Sequence, residues 1–126
     1  RTVDYLKQRS QFGAPIGTFQ ALQHRAAKML IELEQARSMA VYAALMVNEA
    51  DLAARRRALA MVKIQTGRSG RIIGQLAVQL HGGIGYTDAA DIGLFLRKAM
   101  VLAPLYGSPS AHRARFRKVV PESAEA

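Results

Sequence analysis

None of the 126 residues is cysteine, so neither disulfide cross-links nor thiolate metal sites can hold this chain together. Tryptophan is absent and aromatics make up only 6%, which leaves no interleaved platform of the kind that stacks nucleic-acid bases. Acidic residues are scarce, nine against eighteen lysines and arginines, giving a formal charge of +9. Long apolar runs are missing as well: the longest, Met39 to Val47, is far too short to span a bilayer, and no signal peptide is visible. The expectation is a cytoplasmic protein with no membrane span.

What the chain does contain is helix-forming usage, rich in alanine, leucine, arginine and glutamine with few β-branched runs. Half the residues are hydrophobic, enough for one domain that buries a core without cross-links. The positive balance raises nucleic acid, anionic lipid or a phosphorylated ligand as partners. The basic residues are dispersed, apart from Arg55-Arg56-Arg57 and the run Arg113, Arg115, Arg117, Lys118, and no helix-turn-helix or RNP pattern accompanies them. A small phosphorylated ligand or solvated faces are favoured over nucleic acid.

Arg1 to about Arg9 reads as a helix already under way, with no capping residue ahead of it, so a piece of something larger is expected. Ser10 to Gly17 cannot continue it, because Gly13, Pro15 and Gly17 interrupt; the segment reads as a connector with Phe12 as its apolar anchor. From Thr18 as N-cap, Phe19, Leu22, Ala26, Met29, Leu33, Ala36, Ala40, Ala43 and Val47 draw one helical stripe. Asn48 to Asp51 makes a reversal, and a second long helix runs from about Leu52 to Leu80. Gly67, Gly70 and Gly74 share a face of it; each costs about 1 kcal/mol against alanine, which predicts close approach of a crossing helix. Ile92 to Ala103 repeats with helical period until Pro104, a turn follows, and Ser110 can cap a short basic helix to about Val119. The fold class is all-α, an up-down four-helix bundle over residues 1–120 with a frayed tail at 121–126.

The second long helix stops in Gln79-Leu80-His81-Gly82-Gly83-Ile84-Gly85-Tyr86. One glycine would serve an ordinary C-cap; three within four positions ask for a turn whose backbone another group approaches closely. His24, His81 and His112 have no partners at metal-ligand spacing, so no metal site is expected. Gly83-Ile84-Gly85 lacks the third glycine and preceding strand of the dinucleotide fingerprint, and no P-loop exists. What survives is the guanidinium of Arg9, beside Gln11 and Phe12, and the amide of Gln79 beside glycine N–H groups, which together could hold a pyrophosphate. The alternative is that Arg9 pairs with a helix C-terminus and Gln79 caps its own helix.

Arg9-Ser10-Gln11-Phe12-Gly13-Ala14-Pro15-Ile16, then Phe19-Gln20, Ala60-x-x-Lys63, the Gln79 to Tyr86 stretch and Arg97 resemble, in order and spacing, the C-terminal helical domain of acyl-CoA dehydrogenases. The resemblance implies a larger chain with an N-terminal helical and a middle β domain, oligomerising as a homo- or heteromeric dimer of dimers, commonly a homotetramer, in fatty acid metabolism. FAD would lie between subunits. Arg9 would hold its pyrophosphate, with Gln11, Phe12 and Gln20 nearby, Gln79, Leu80, His81, Gly82 and Gly83 as a second wall, and Ser108 and Ser110 as further cofactor contacts. The implied reaction is α,β-dehydrogenation of an acyl-CoA thioester: a carboxylate removes the α-proton, the β-hydrogen leaves as hydride to the flavin, and the electrons pass to electron-transfer flavoprotein or a similar acceptor.

In many members the base is a glutamate in a Tyr-Glu-Gly-Thr segment. Counted without a gap from Arg97, Leu105-Tyr106-Gly107-Ser108 stands there, with Tyr106 at the glutamate's place; a one-residue gap puts Gly107 or a deletion there instead. Either way no carboxylate occupies the position, while Lys98 follows Arg97 where an aspartate is common. A tyrosine of ordinary pKa near 10 is a poor base at neutral pH. No catalytic residue is therefore expected within these residues, and the piece alone is expected to be inactive. The base would come from the helix upstream of Arg1 or from a catalytic partner subunit, this chain then being a non-catalytic subunit of a heteromeric enzyme, or it would be lacking in a degenerate relative. A stand-alone helical interaction module using its basic face is the reading from a different class.

Overall fold

A computed structural model describes residues 1–119. Five helices follow one another: α1 (Thr2–Gln8), α2 (Gln20–Met46), α3 (Leu52–His81), α4 (Ile92–Leu102) and α5 (Pro109–Val119). Between α1 and α2 lies a minimal antiparallel hairpin, β1 (Ser10–Gln11) and β2 (Ala14–Pro15), in register Ser10 to Pro15 and Gln11 to Ala14. Short 3₁₀ turns occupy Ile16–Thr18 and Gly82–Tyr86. The all-α bundle is as expected; the tail assigned to 121–126 lies outside the described residues.

α3 is the central element, contacted by α1, α2, α4 and α5. Asp51 starts it: the carboxylate accepts from the Ala53 N–H at 2.8 Å, a cap contributing about 1 kcal/mol. The core gathers Ala77, Val78 and Ile92 with Met29 and Leu96 packed on them. The glycine face predicted on α3 receives neighbours, as a close crossing requires. Gly74 lies under Leu96 of α4, whose Cδ1 would sit 2.7 Å from an added Cβ; Gly70 faces Ala99, and Gly67 faces Pro109 at the start of α5.

Four local expectations change. Phe12 is not an anchor: it is 95% exposed at the tip of the hairpin with φ +54°, held only edge-on by Phe19. Thr18 does not cap α2, because its hydroxyl donates to the Pro15 carbonyl at 2.7 Å and closes the 3₁₀ turn. Ser108, not Ser110, caps α5, accepting from the Ala111 N–H at 3.2 Å. On α2 Leu22, Ala26, Met29, Ala36 and Ala43 turn inward as expected, but Glu32, Met39 and Met46 join the seam in place of Leu33, Ala40 and, just past the helix, Val47, which are exposed. The displacement has a polar cause. Ser69, fully buried on α3, donates to the buried Glu32 carboxylate at 2.7 Å, and Gln65 donates to Ser69, so the bundle interior satisfies a charge where the hydrophobic pattern placed a leucine.

Candidate functional site

The end of α3 and α1 are brought together by a stacked pair. The Tyr5 ring lies on His81 with centroids 4.4 Å apart, and its hydroxyl donates to the His81 carbonyl at 3.3 Å. His81 is buried and its Nδ1–H donates to the Ala77 carbonyl at 2.8 Å, so the imidazole braces the helix end. One turn beyond Tyr5 sits Arg9. Its N–H donates to the Tyr5 carbonyl and its carbonyl accepts from Ile16, both at 2.8 Å, which fixes the backbone from which the guanidinium projects into solvent.

Facing outward on the same end are Gln79, Gly82 and Gly83, all exposed. Gly82 takes φ +63°, and its N–H donates to the Gln79 carbonyl, so the turn spends one glycine on a left-handed residue. Gly83 has no such need: its φ is not positive and an added Cβ would meet nothing within 4 Å. Among the described residues nothing requires glycine there, which leaves its backbone open to close approach by an external group. Gly85 is different, since a Cβ there would meet the Val78 carbonyl oxygen at 2.6 Å.

The sequence-derived site residues thus divide. Arg9, Gln11, Phe12, Gln20, Gln79, Gly82 and Gly83 are exposed. Leu80 and His81 turn their side chains into the core, leaving them a supporting part. Ser108 and Ser110 lie on a separate part of the surface, at the start of α5, with their hydroxyls 2.8 Å apart. Exposed guanidinium, amide and unhindered glycine backbone fit the pyrophosphate end of a dinucleotide cofactor.

Tyr106 is 92% exposed with φ +60°, followed by Gly107 at +112°. A left-handed tyrosine is strained, and His112 holds the strain in place: its Nε2–H donates to the Tyr106 carbonyl at 3.2 Å, directly beneath Gly107. In the sequence His112 is weighed only as a metal ligand and set aside, and nothing there signals its hold on the turn. Burial lowers its pKa from the ordinary value; the hydrogen bond to Tyr106 opposes this, while the charges of Arg115 and Lys63 add to it. With the folded pKa below the unfolded one, the unfolded chain binds more protons in acid. Stability is then expected to fall as pH drops through about 6.5 and to level off below the folded pKa. Thermal melts at pH 7.5 and 5 should show that loss, and His112→Asn should lessen it.

No acidic residue occurs between Asp91 and Glu122, so this turn has no carboxylate of its own. No helix among the described residues is long and apolar enough to cross a membrane.

Comparison with known proteins identifies the family. The sequence profile described as "Acyl-CoA dehydrogenase, C-terminal domain" matches residues 1–120. The acyl-CoA dehydrogenase IpdE2 of Mycolicibacterium smegmatis is 37% identical over 119 residues, covering 94% of this chain and 36% of the relative. The chain therefore spans about a third of that curated relative. Among solved structures, the steroid acyl-CoA dehydrogenase Tcur3481-Tcur3483, as a G363A variant, superposes with a TM-score of 0.88 at 30% identity, over 99% of this chain and 34% of the other. The FAD complex of PigA gives a TM-score of 0.83 at 25% identity, over 93% and 30%. The chain belongs to the acyl-CoA dehydrogenase family, whose C-terminal helical domain it forms.

Proposed function

We propose that this domain works within an FAD-dependent acyl-CoA dehydrogenase, contributing the pyrophosphate contacts of the cofactor and an oligomer interface. The observation that carries the reading is the exposure of Arg9 at the end of α1 and of Gln79 and the unhindered Gly83 at the end of α3, two elements joined by the Tyr5 and His81 stack. When bound, FAD supplies the hydride acceptor for α,β-dehydrogenation. The chain's own residues bind and orient: Arg9 offers a charged fork to phosphate oxygens, Gln79 an amide, and Gly82 and Gly83 a backbone without side chains in the way. Leu80 and His81 hold that wall rigid. Ser108 and Ser110 serve as further cofactor contacts.

Proton abstraction from the acyl α-carbon then falls to a group outside this turn, which has no carboxylate to serve as base. The base comes from the chain ahead of α1 or from a second subunit. The double designation of the steroid relative, Tcur3481-Tcur3483, supports the two-component arrangement, in which this chain supplies cofactor contacts to a catalytic partner. A bulky acyl-CoA is then the substrate class and an electron-transfer flavoprotein or similar acceptor takes the electrons. The exposed apolar residues of α2, among them Leu30, Ile31, Val41 and Leu45, suit burial between subunits of a dimer of dimers.

The test is the full-length protein expressed with its genomic neighbours. It should purify with bound flavin and be bleached by members of an acyl-CoA panel that includes steroid-like side chains. A preparation that neither retains FAD nor has it reduced by any thioester would overturn the proposal.

A further inference from the structure

α3 and α5 carry ten lysines and arginines and no aspartate or glutamate. Where the start of α5 crosses α3, three of these arginines surround one hollow of about 340 Å³: Arg68 and Arg71 from α3 and Arg113 from α5, with the hydroxyls of Ser108 and Ser110 on its rim. Among the described residues the one ion pair made by these arginines is that of Arg68 with Glu32, at 3.7 Å, and the other oxygen of that carboxylate is already hydrogen-bonded by Ser69. Among the described residues Arg71 and Arg113 take part in no ion pair. Three guanidinium groups around one concavity repel one another, and each offers forked donors suited to phosphoryl oxygens. An acidic side chain could neutralise one of them; a group with several charged oxygens answers all three.

We infer that the Arg68, Arg71 and Arg113 hollow is a phosphoryl-anion site, suited to a pyrophosphate. It lies roughly 12–16 Å along α3 from Gln79, so it is a second anchor separate from the Arg9 and glycine wall. Coenzyme A carries an adenosine pyrophosphate and would supply this chemistry, as would a second FAD, bound to a neighbouring subunit, since the FAD on the Arg9 wall has its single pyrophosphate there. That choice of sources rests on the dehydrogenase reading, while the anion site itself does not.

The experiment is arginine footprinting of the full-length protein with phenylglyoxal, read residue by residue by mass spectrometry, in the presence of inorganic pyrophosphate, FAD or coenzyme A. With pyrophosphate at roughly ten times its Kd, labelling of Arg71 and Arg113 should slow about tenfold, while the exposed Arg117 on α5 is unaffected. Protection by FAD but not coenzyme A assigns the site to the cofactor, and the reverse assigns it to the substrate. In an Arg71→Gln/Arg113→Gln variant the protection of Arg68 by pyrophosphate should vanish. All three arginines are exposed, so that variant should fold. Equal labelling of the three arginines with and without all three probes would overturn the site. Because the pyrophosphate arm needs neither bound flavin nor turnover, it is read independently of whether the enzymatic reading stands.

Discussion

Replacing Arg9 by alanine in the full-length protein is expected to raise the dissociation constant for FAD by about ten- to a hundredfold, corresponding to roughly 1.5–3 kcal/mol of charge-assisted hydrogen bonding. The side chain is exposed and, among the described residues, has no ion-pair partner, so its removal should leave the fold alone. Its backbone, by contrast, is tied at both ends by hydrogen bonds to Tyr5 and Ile16, which sets where the guanidinium can reach. Arg9→Lys keeps the charge and loses the planar fork, and an intermediate loss is expected. Flavin retained per protomer after gel filtration, together with titration of the apoprotein, checks both variants. Retention equal to wild type in Arg9→Ala would remove Arg9 from the cofactor's ligands.

Element boundaries were legible where local chemistry acts alone. Pro104 and the glycine cluster stop helices for reasons contained in their own residues, and α3 ends one residue from its expected position. Legibility failed where a distant partner decided the outcome. Glu32 looks like a surface carboxylate on α2 until Ser69, thirty-seven positions away, supplies a buried donor. Phe12 looks like an anchor because it is aromatic, yet at the tip of a two-residue-per-strand hairpin it is almost fully exposed and, among the described residues, meets the edge of Phe19. The family motif put Arg9 and Gln79 in one site, and the Tyr5 and His81 stack that joins their elements is a contact between residues seventy-six apart which periodicity does not display. The arginines of α3 and α5 were visible singly, and only the crossing of the two helices turns three of them into one hollow.

The same reasoning separates two neighbouring glycines by what they should do when changed. Gly85→Ala places a methyl 2.6 Å from the Val78 carbonyl oxygen and 3.1 Å from the His81 Cβ. The carbonyl belongs to the last turns of α3 and cannot swing away as a side-chain tip can, so the Gly82–Tyr86 turn must lift off the helix end. A loss of about 1–3 kcal/mol of stability is expected, the range for overpacking a filled site, and with it a weaker hold on FAD because the wall itself moves. Gly83→Ala meets open space with an ordinary φ, so unfolding in denaturant should match wild type within roughly 0.5 kcal/mol. Its FAD affinity should nevertheless fall, since the methyl occupies the surface that the cofactor is proposed to approach. Denaturant midpoints and flavin titrations of the two full-length variants check the pair. If Gly83→Ala bound FAD as wild type does, the turn would be a structural stop for α3 and the cofactor wall would have to lie elsewhere.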